Sequence, residues 1–234
     1  MRISAGSVRN AIGLNQNKII QRKINTLEKS IYGEHLPELE IVKTHLLDEI
    51  DSVRNRMQAE TGIDPVEHCL ARIKSEDSMR EKCRRKGLPE TTESALTKIY
   101  DAVGIRVVCA FINDVYAIRD HLAMLPDVEI IEEKDYIRHA KPNGYRSYHM
   151  ILRVSDDEGA VYAEIQLRTI SQDTWAALEH QLRYKQNISG NTELIAEELK
   201  RCADELASTD ISMQTLRDTI NSGGNCKTSS AQSI

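Results

Sequence analysis

The chain has 234 residues, of which 40% are hydrophobic and 29% charged, enough to bury a sizeable core in one large domain or two small ones. Its 31 basic and 36 acidic residues give a net charge of −5, and only 4% of the residues are aromatic. We therefore expect neither a DNA-coating protein nor a base-stacking platform, and no apolar run approaches the roughly 20 residues that span a membrane.

The cysteines and the N-terminal segment suggest where the protein resides. The five cysteines are widely spaced and form no Cys-x-x-Cys pair, which argues against disulfides and structural zinc and suits the reducing cytoplasm. Five basic residues precede the first acidic residue, Glu28. This composition can mimic an organellar transit peptide, but its poor amphipathic period favours a loose basic arm.

Helices are predicted in the first part of the chain. Apolar residues spaced three and four apart predict an amphipathic helix over 38–60, which Gly62 ends. A second helix is predicted over 65–73, with proline in its first turn, and a third over 93–103. Gly104 is predicted to cap the third helix with a positive φ.

Strands follow in the middle of the chain. Gly104 opens a short apolar strand, and a helix capped by Asn113 or Asp114 comes next. Alternating residues then predict three strands, over roughly 128–133, 146–154 and 160–168. Two helices follow, over roughly 171–185 and 192–220. Strands clustered between helices predict an α+β (mixed α/β) fold.

The last two predicted strands each have an apolar and a polar face, because side chains alternate along a strand. The polar faces carry Tyr145, Ser147, His149, Tyr162, Glu164, Gln166 and Arg168. A polar face is usually only solvated. Aromatic, imidazole, carboxylate and guanidinium groups that converge beside a Lys-Pro-Asn-Gly turn nevertheless favour a binding site.

A basic cluster and a second carboxylate add to this picture. Residues 72–86 carry seven basic and three acidic residues, and such runs are usually solvated helix faces. Arg72 and Lys74 precede a helix start, a position that also suits polyphosphate. Asp101 lies at the junction between a predicted helix and a predicted strand. Together with Glu164 it would supply carboxylate oxygens of the kind that bind Mg²⁺ along with substrate phosphates.

Five short motifs occur in order along the chain. They are Arg-Ile-Lys-Ser (72–75), Asp-x-x-Gly-x-Arg (101–106), Lys-Pro-Asn-Gly-Tyr-Arg-Ser-Tyr-His (141–149), Glu-Ile-Gln-Leu-Arg-Thr (164–169) and Trp-Ala-Ala-Leu-Glu-His (175–180). Together they resemble the synthetase domain of the RelA/SpoT homologues over about residues 40–190. The size of the chain resembles that of a monofunctional small alarmone synthetase.

The resemblance implies a fold and a reaction. The fold would be a mixed sheet flanked by helices, similar to nucleotidyltransferases. The enzyme would transfer the β,γ-pyrophosphate of ATP to the 3′-hydroxyl of GDP or GTP, giving ppGpp or pppGpp and AMP in the stringent response. Two polyphosphates repel each other, so Mg²⁺ and basic side chains are expected in the cleft.

The resemblance also implies a role for each site residue. Asp101 would coordinate Mg²⁺, and Glu164 would be a second Mg²⁺ ligand or the base that accepts the 3′-hydroxyl proton. Tyr145 would stack on guanine. The ATP contacts would come from Arg72 and Arg106 at adenine and from Lys74, Lys82 and Arg85 at the triphosphate. The other guanine-nucleotide contacts would come from Lys141, Asn143, His149, Gln166 and Arg168.

Two features depart from the family pattern. His139 and Ala140 precede Lys141 where family members more often have Asn-Pro, which leaves the stiffness of this loop open. None of the seven histidines is followed by Asp, so the His-Asp metal pair of the family's hydrolase domain is missing and a synthesis-only enzyme is expected.

The chain is predicted to divide into four parts. These are a partly mobile N-terminal arm over 1–37, a synthetase domain over 38–190, a helical region over 191–220 and a mobile tail over 221–234. The helical region carries an apolar stripe of Ile195, Leu199, Cys202, Leu206, Met213, Leu216 and Ile220. The stripe fits packing onto its own domain or homo-oligomerisation, and since one family subclass builds homotetramers through terminal helices, a tetramer is favoured over a dimer.

Two functions other than synthesis of ppGpp or pppGpp are alternatives. A toxic relative that pyrophosphorylates adenine nucleotides or the 3′ end of tRNA would keep both carboxylates and change the acceptor pocket. A non-catalytic nucleotide- or RNA-binding regulator would need neither carboxylate. The preferred acceptor among GDP, GTP and GMP, and regulation by pppGpp or single-stranded RNA, are open as well.

Overall fold

The structure is a computed structural model that describes residues 30–155, 159–184 and 192–225. Most of the predicted N-terminal arm and the part of the predicted tail after residue 225 lie outside the described residues.

The described residues form five α-helices and five strands. The helices are α1 (Leu36–Thr61), α2 (Glu76–Arg85), α3 (Ile112–Ala123), α4 (Ile170–Tyr184) and α5 (Thr192–Asn225). The strands are β1 (Val66–Ile73), β2 (Val103–Cys109), β3 (Val128–Asp135), β4 (Tyr148–Ser155) and β5 (Ala160–Thr169). A 3₁₀ turn (Gly33–His35) precedes α1, and a π-helical turn (Ser94–Lys98) lies between α2 and β2.

The strands form one mixed sheet in the order β1-β2-β5-β4-β3. Only the central pair in this sheet, β2 and β5, is parallel, and the other three pairs are antiparallel. Helices α1 and α3 pack on its apolar face, where the alternate residues of β4 and β5 are buried. This architecture confirms the predicted mixed α/β fold.

Helix α1 follows the predicted period closely. Its apolar residues Leu39, Leu46 and Ile50 are buried, and Gly62 ends the helix with a φ of 72°. Ile31 and Tyr32, which precede the helix, are also buried in the core. The folded part of the chain therefore begins before residue 38.

The helix predicted over 65–73 is wrong, because this segment is strand β1. Its apolar residues at Val66, Leu70 and Ile73 have a spacing that also fits a helix. As an edge strand β1 pairs only with β2 and has one fully buried residue, Val66, although exposed and partly buried residues alternate over 68–73. Pairing with β2, which the local sequence does not show, decides its structure.

Three predictions around residues 93–114 are also wrong. Helical structure is confined to 92–98, with a π-helical turn over Ser94–Lys98, and Gly104 is the second residue of β2 without a positive φ. Helix α3 begins after Phe111, which makes no capping hydrogen bond, and Gln214 of α5 accepts a hydrogen bond from the backbone N–H of Asn113, at 3.0 Å. Asp114 is buried instead and pairs with Arg217 of α5, at 2.6 Å.

The C-terminal helices are confirmed, but the apolar stripe predicted on the second of them does not form one buried face. Met213, Leu216 and Ile220 are 51%, 57% and 72% exposed, whereas Ala203 and Asp210 are buried against the domain. Among the described residues no helix combines the length and apolarity needed to cross a membrane.

Candidate active site

A cleft lies on the polar face of the sheet, where four strands bring side chains from distant parts of the sequence together. Cross-strand pairing aligns Arg72, Gly104 and Glu164 in one row. The next row contains Arg106, Gln166 and His149. With Lys74 and Asp101, most of these residues line a cavity of about 330 Å³, within the size range of small-ligand sites.

Asp101 is held at one end of this cavity by two lysines. Its Oδ2 lies 2.5 Å from Nζ of Lys82, on α2, and 3.0 Å from Nζ of Lys74, just after β1. The side chain is only 12% exposed, and no donor among the described residues reaches its buried Oδ1. One oxygen of this carboxylate, in a residue that lines the cavity, is thus buried without a hydrogen-bond partner.

Glu164 lies on β5 in the same cavity. His149 Nδ1 is 3.3 Å from Glu164 Oε1, and this hydrogen bond is the main reason why the pKa of Glu164 lies below its ordinary value, although burial opposes the shift. The charge of Lys82 lowers the pKa of Glu164 further. The carboxylate is therefore ionised at neutral pH.

These two carboxylates fit a magnesium ion that is shared with a substrate. Mg²⁺ is usually bound by one or two protein carboxylates plus substrate phosphates, not by a complete protein cage. Oδ1 of Asp101, which has no hydrogen-bond partner among the described residues, and the ionised Glu164 supply such a set. The described residues contain no cluster of three or more His, Cys, Asp or Glu side chains suited to a metal ion.

The other side of the cleft is formed by the β3–β4 loop, residues 136–147. Tyr145 in this loop hydrogen bonds through its hydroxyl to His149 Nε2, at 2.9 Å, and to Arg168 Nη2, at 2.7 Å. Arginine only donates and a carboxylate only accepts, so neutral His149 with its proton on Nδ1 satisfies the whole chain from Arg168 to Glu164. The chain connects the loop to the carboxylate at the centre of the cleft.

Lys141 and Asn143 shape the same loop. Lys141 Nζ lies 4.5 Å from the ring centre of Tyr136 and 5.1 Å from that of Tyr145. Asn143 Oδ1 accepts a hydrogen bond from the backbone N–H of Tyr145, at 3.2 Å. Asn143 thus holds the turn that presents Tyr145, and Tyr136 is an aromatic member of this side that sequence reasoning missed.

Asp173, in the first turn of α4, is a second residue that sequence reasoning missed. It lies 3.0 Å from Arg168 Nη1 and 3.7 Å from Arg106 Nη1, so it binds one arginine from each side of the cleft. Burial, and then the charge of Arg168, lower the pKa of Arg106, and Asp173 opposes this shift. An acidic residue in a first helical turn is common, so the sequence carries no distinctive signal for it.

The structure brings almost all of the predicted site residues to one cleft. Arg72, Lys74, Asp101, Arg106, Glu164 and Gln166 line the cavity. Lys82, Lys141, Tyr145, His149 and Arg168 adjoin it through the contacts above. Arg85 is exposed in the last turn of α2, one turn beyond Lys82, and the structure does not bring it to the cavity.

Comparisons with known proteins agree with this geometry. A family model described as the region found in RelA / SpoT proteins matches residues 71–189. GTP pyrophosphokinase YwaC of Bacillus subtilis is 42% identical over 147 residues, which cover 61% of this chain and 70% of the relative.

Solved structures of small alarmone synthetases have the same fold. Small alarmone synthetase 1 of Bacillus subtilis, bound to its product pppGpp, superposes with a TM-score of 0.68 at 28% identity, over 80% of this chain and 96% of that one. Small alarmone synthetase 2 of the same organism superposes with a TM-score of 0.63 at 36% identity, over 76% of this chain and 97% of that one. The matched motifs, the cleft and these relatives together establish that the chain belongs to the RelA/SpoT family, as a small alarmone synthetase.

Proposed function

We propose that this cleft transfers the β,γ-pyrophosphate of ATP to the 3′-hydroxyl of GDP or GTP, giving ppGpp or pppGpp and AMP. The observation that carries the proposal is the meeting of Asp101 and Glu164, from separate segments, in one cavity lined by basic side chains. A carboxylate pair in a cationic pocket is what a transfer between two polyphosphates requires.

ATP is assigned to the side formed by β1, β2 and α2, here called the donor side. Arg72 and Arg106, on adjacent strands, would flank the adenine, since a planar guanidinium packs on a π face in a way that lysine does not. Lys74 and Lys82 would hold the triphosphate beside Asp101. Arg85 would reach the same phosphates by extending from α2.

The guanine nucleotide is assigned to the side formed by the β3–β4 loop, here called the acceptor side. Tyr145 would stack on the base, and its hydroxyl bonds to Arg168 and His149 hold the ring in place. The acceptor's sugar and phosphates would be bound by Lys141, Asn143, His149, Gln166 and Arg168.

The reaction needs a proton acceptor and charge neutralisation. The 3′-oxygen attacks the β-phosphorus, the bond from that phosphorus to the α,β-bridging oxygen breaks, and AMP leaves with the electron pair. Glu164 is ionised and central, so it would orient the hydroxyl and take its proton, or serve as a metal ligand. Mg²⁺ held by Asp101 and Glu164 would supply charge neutralisation for both polyphosphates.

We further propose that the protein acts in the cytoplasm during the stringent response, as a homo-oligomer in which a homotetramer is favoured over a dimer. The exposed apolar residues of α5 support self-association. Single-stranded RNA stays a candidate regulator.

A product assay tests the proposed reaction. Purified protein is incubated with ATP and Mg²⁺ and, in separate reactions, with GDP, GTP, GMP, ADP or uncharged tRNA, and AMP is separated by nucleotide chromatography. The proposal predicts AMP release that depends on a guanine nucleotide. AMP release only with the adenine or tRNA acceptor would identify a toxic relative, and release with none would identify a non-catalytic regulator.

A further inference from the structure

Helix α5 touches the β3–β4 loop at the turn that presents Tyr145. Gly144 has a φ of 90°, and a Cβ atom added there would lie 2.6 Å from Cβ of Ala203 and 3.2 Å from Cα of Lys200. Such distances are too short for ordinary packing, so only glycine fits between the loop and the helix. The backbone of the turn therefore rests directly on α5.

Arg146 joins the same two elements. Its Nη1 donates to the carbonyl oxygen of Gly144, at 3.1 Å, and to that of Ala203, at 3.3 Å, while its Nη2 donates to Asp204 Oδ1, at 3.0 Å. The guanidinium thus bridges the turn and the middle of α5. Lys200 also binds Asp204, at 2.9 Å, and helps to orient its carboxylate.

Further contacts fix α5 to the body of the domain. The indole N–H of buried Trp175 donates to the carbonyl oxygen of Leu199, at 2.8 Å, and the indole lies 6.4 Å from the ring of Tyr145. Farther along the helix, buried Asp210 accepts a hydrogen bond from Thr169 at the end of β5, at 2.5 Å. The turn is therefore supported by a helix that is itself anchored near the end of β5.

From these contacts we infer that α5 is a positioning element of the guanine-nucleotide subsite. By holding Gly144 and Arg146 it orders the loop before the nucleotide arrives, and so reduces the conformational entropy that acceptor binding would otherwise cost. The inference rests on the proposed assignment of Tyr145 to the acceptor. It gives α5 a role within one chain, separate from any role in self-association.

Two variants test the contact, each with a matched control on the same helix. Ala203→Leu places a larger side chain against Gly144, and Ala196→Leu makes the same change at an exposed position. Asp204→Asn weakens the bond to Arg146, and Glu205→Gln changes a neighbouring carboxylate that pairs within α5 with Arg201.

The measurements distinguish an effect on GDP from an effect on ATP. Trp175 is the only tryptophan of the chain, so its fluorescence reports binding of GDP without catalysis. Steady-state kinetics give KM for GDP and for ATP, and light scattering gives the oligomeric state. We expect Ala203→Leu and Asp204→Asn to raise Kd and KM for GDP roughly tenfold. The KM for ATP and the oligomeric state should stay at wild-type values, as should all four measurements in both controls.

Each other outcome overturns a stated claim. Unchanged GDP binding in Ala203→Leu and Asp204→Asn, an equal rise in the ATP KM, or an equal effect of Ala196→Leu would refute the positioning role. A loss of GDP affinity that follows a change of oligomeric state would also refute it. A wild type that binds no guanine nucleotide and releases no AMP would refute the proposed function itself.

Discussion

On the donor side of the cleft the two arginines assigned to adenine stand on paired strands, whereas on the acceptor side the ring assigned to guanine belongs to one loop. Arg72 and Arg106 stand on adjacent strands, and Lys74 and Lys82 meet at Asp101. On the acceptor side, Tyr145 belongs to the β3–β4 loop, whose turn rests on α5 at Gly144.

This difference indicates how each side is kept in shape. Strand pairing fixes Arg72 and Arg106 through backbone hydrogen bonds, so changing one of these side chains should leave its neighbours in place. The loop that carries Tyr145 depends on long-range side-chain contacts such as that between Arg146 and Asp204. We therefore expect changes on the acceptor side to spread along the loop, and changes on the donor side to stay local.

The largest effect is expected where the two sides meet. Glu164→Gln keeps the shape of the side chain and removes the charge, so pyrophosphate transfer should fall by about 10²–10⁴-fold. Nucleotide binding should survive. The measurement is kcat for AMP release, with Glu129→Gln, an exposed change on β3, as the control. Undiminished product formation by Glu164→Gln would contradict its assignment.

A second change probes the acceptor side alone. Tyr145→Ala removes the ring that is assigned to guanine, and base–aromatic stacking contributes about 1–3 kcal/mol, so KM for GDP should rise about 5- to 150-fold. KM for ATP should change little. Tyr145→Phe keeps the ring but loses the bonds to Arg168 and His149, and an intermediate rise is expected. Equal effects of Tyr145→Ala on both substrates would show that the stacking assignment is misplaced.

A third change tests Asp173, which binds one arginine from each side of the cleft. Asp173→Asn removes the charge between Arg106 and Arg168, and these two cations would then repel each other. KM should rise for ATP and for GDP together, by about tenfold for an interaction of 1.5 kcal/mol. A rise confined to one substrate would mean that Asp173 does not join the two sides.

A fourth change tests whether donor-side changes stay local. A Cβ atom added at Gly104 would meet no atom within 4 Å, and its cross-strand neighbours Arg72 and Glu164 line the cavity. Gly104→Val should therefore leave Tm nearly unchanged while it raises KM for ATP by narrowing the cavity. A large loss of Tm with unaltered KM would contradict this account.

The smallest effect is expected in the pH dependence of the free energy of unfolding. It concerns Glu133 on β3, the strand that leads into the β3–β4 loop. The hydrogen bond from Arg119 holds the pKa of Glu133, on β3, below its ordinary value of 4.5. A carboxyl whose pKa is lower in the folded protein than in the unfolded chain stabilises the fold fully at pH values above the unfolded-state pKa. This contribution is lost as the pH falls through the folded-state pKa.

Denaturant unfolding at a series of pH values measures this contribution. Glu133→Gln should lower the free energy of unfolding by about 1 kcal/mol at pH 7, with a difference that shrinks toward pH 3. A difference that stays constant over this range would show that ionisation of Glu133 is not involved.

The regular parts of the molecule follow from the sequence. The alternation in β4 and β5 correctly places His149 and Glu164 on the polar face, and the period of α1 correctly identifies its buried side. Both patterns are strong because these elements have one face buried along most of their length. The five sequence motifs then indicate the family to which the cleft belongs.

The errors have one physical cause, which is that distant parts of the chain decide the structure. Pairing with β2 makes an edge strand of β1, and the buried pair with Arg217 takes Asp114 away from the predicted cap. Asp173 and the contact of Gly144 with Ala203 are likewise visible only when separate elements come together. Local periodicity and spacing do not carry such information.

Transfer of labelled phosphate tests the central claim most directly. ATP labelled at either the α- or the γ-phosphate is incubated with the protein, Mg²⁺ and GDP, and the products are separated by chromatography. Attack at the β-phosphorus, between Asp101 and Glu164, predicts that γ-label appears in the guanine nucleotide and α-label only in AMP. Label from the α-phosphate in the guanine product, or γ-label released as free pyrophosphate, would contradict the account.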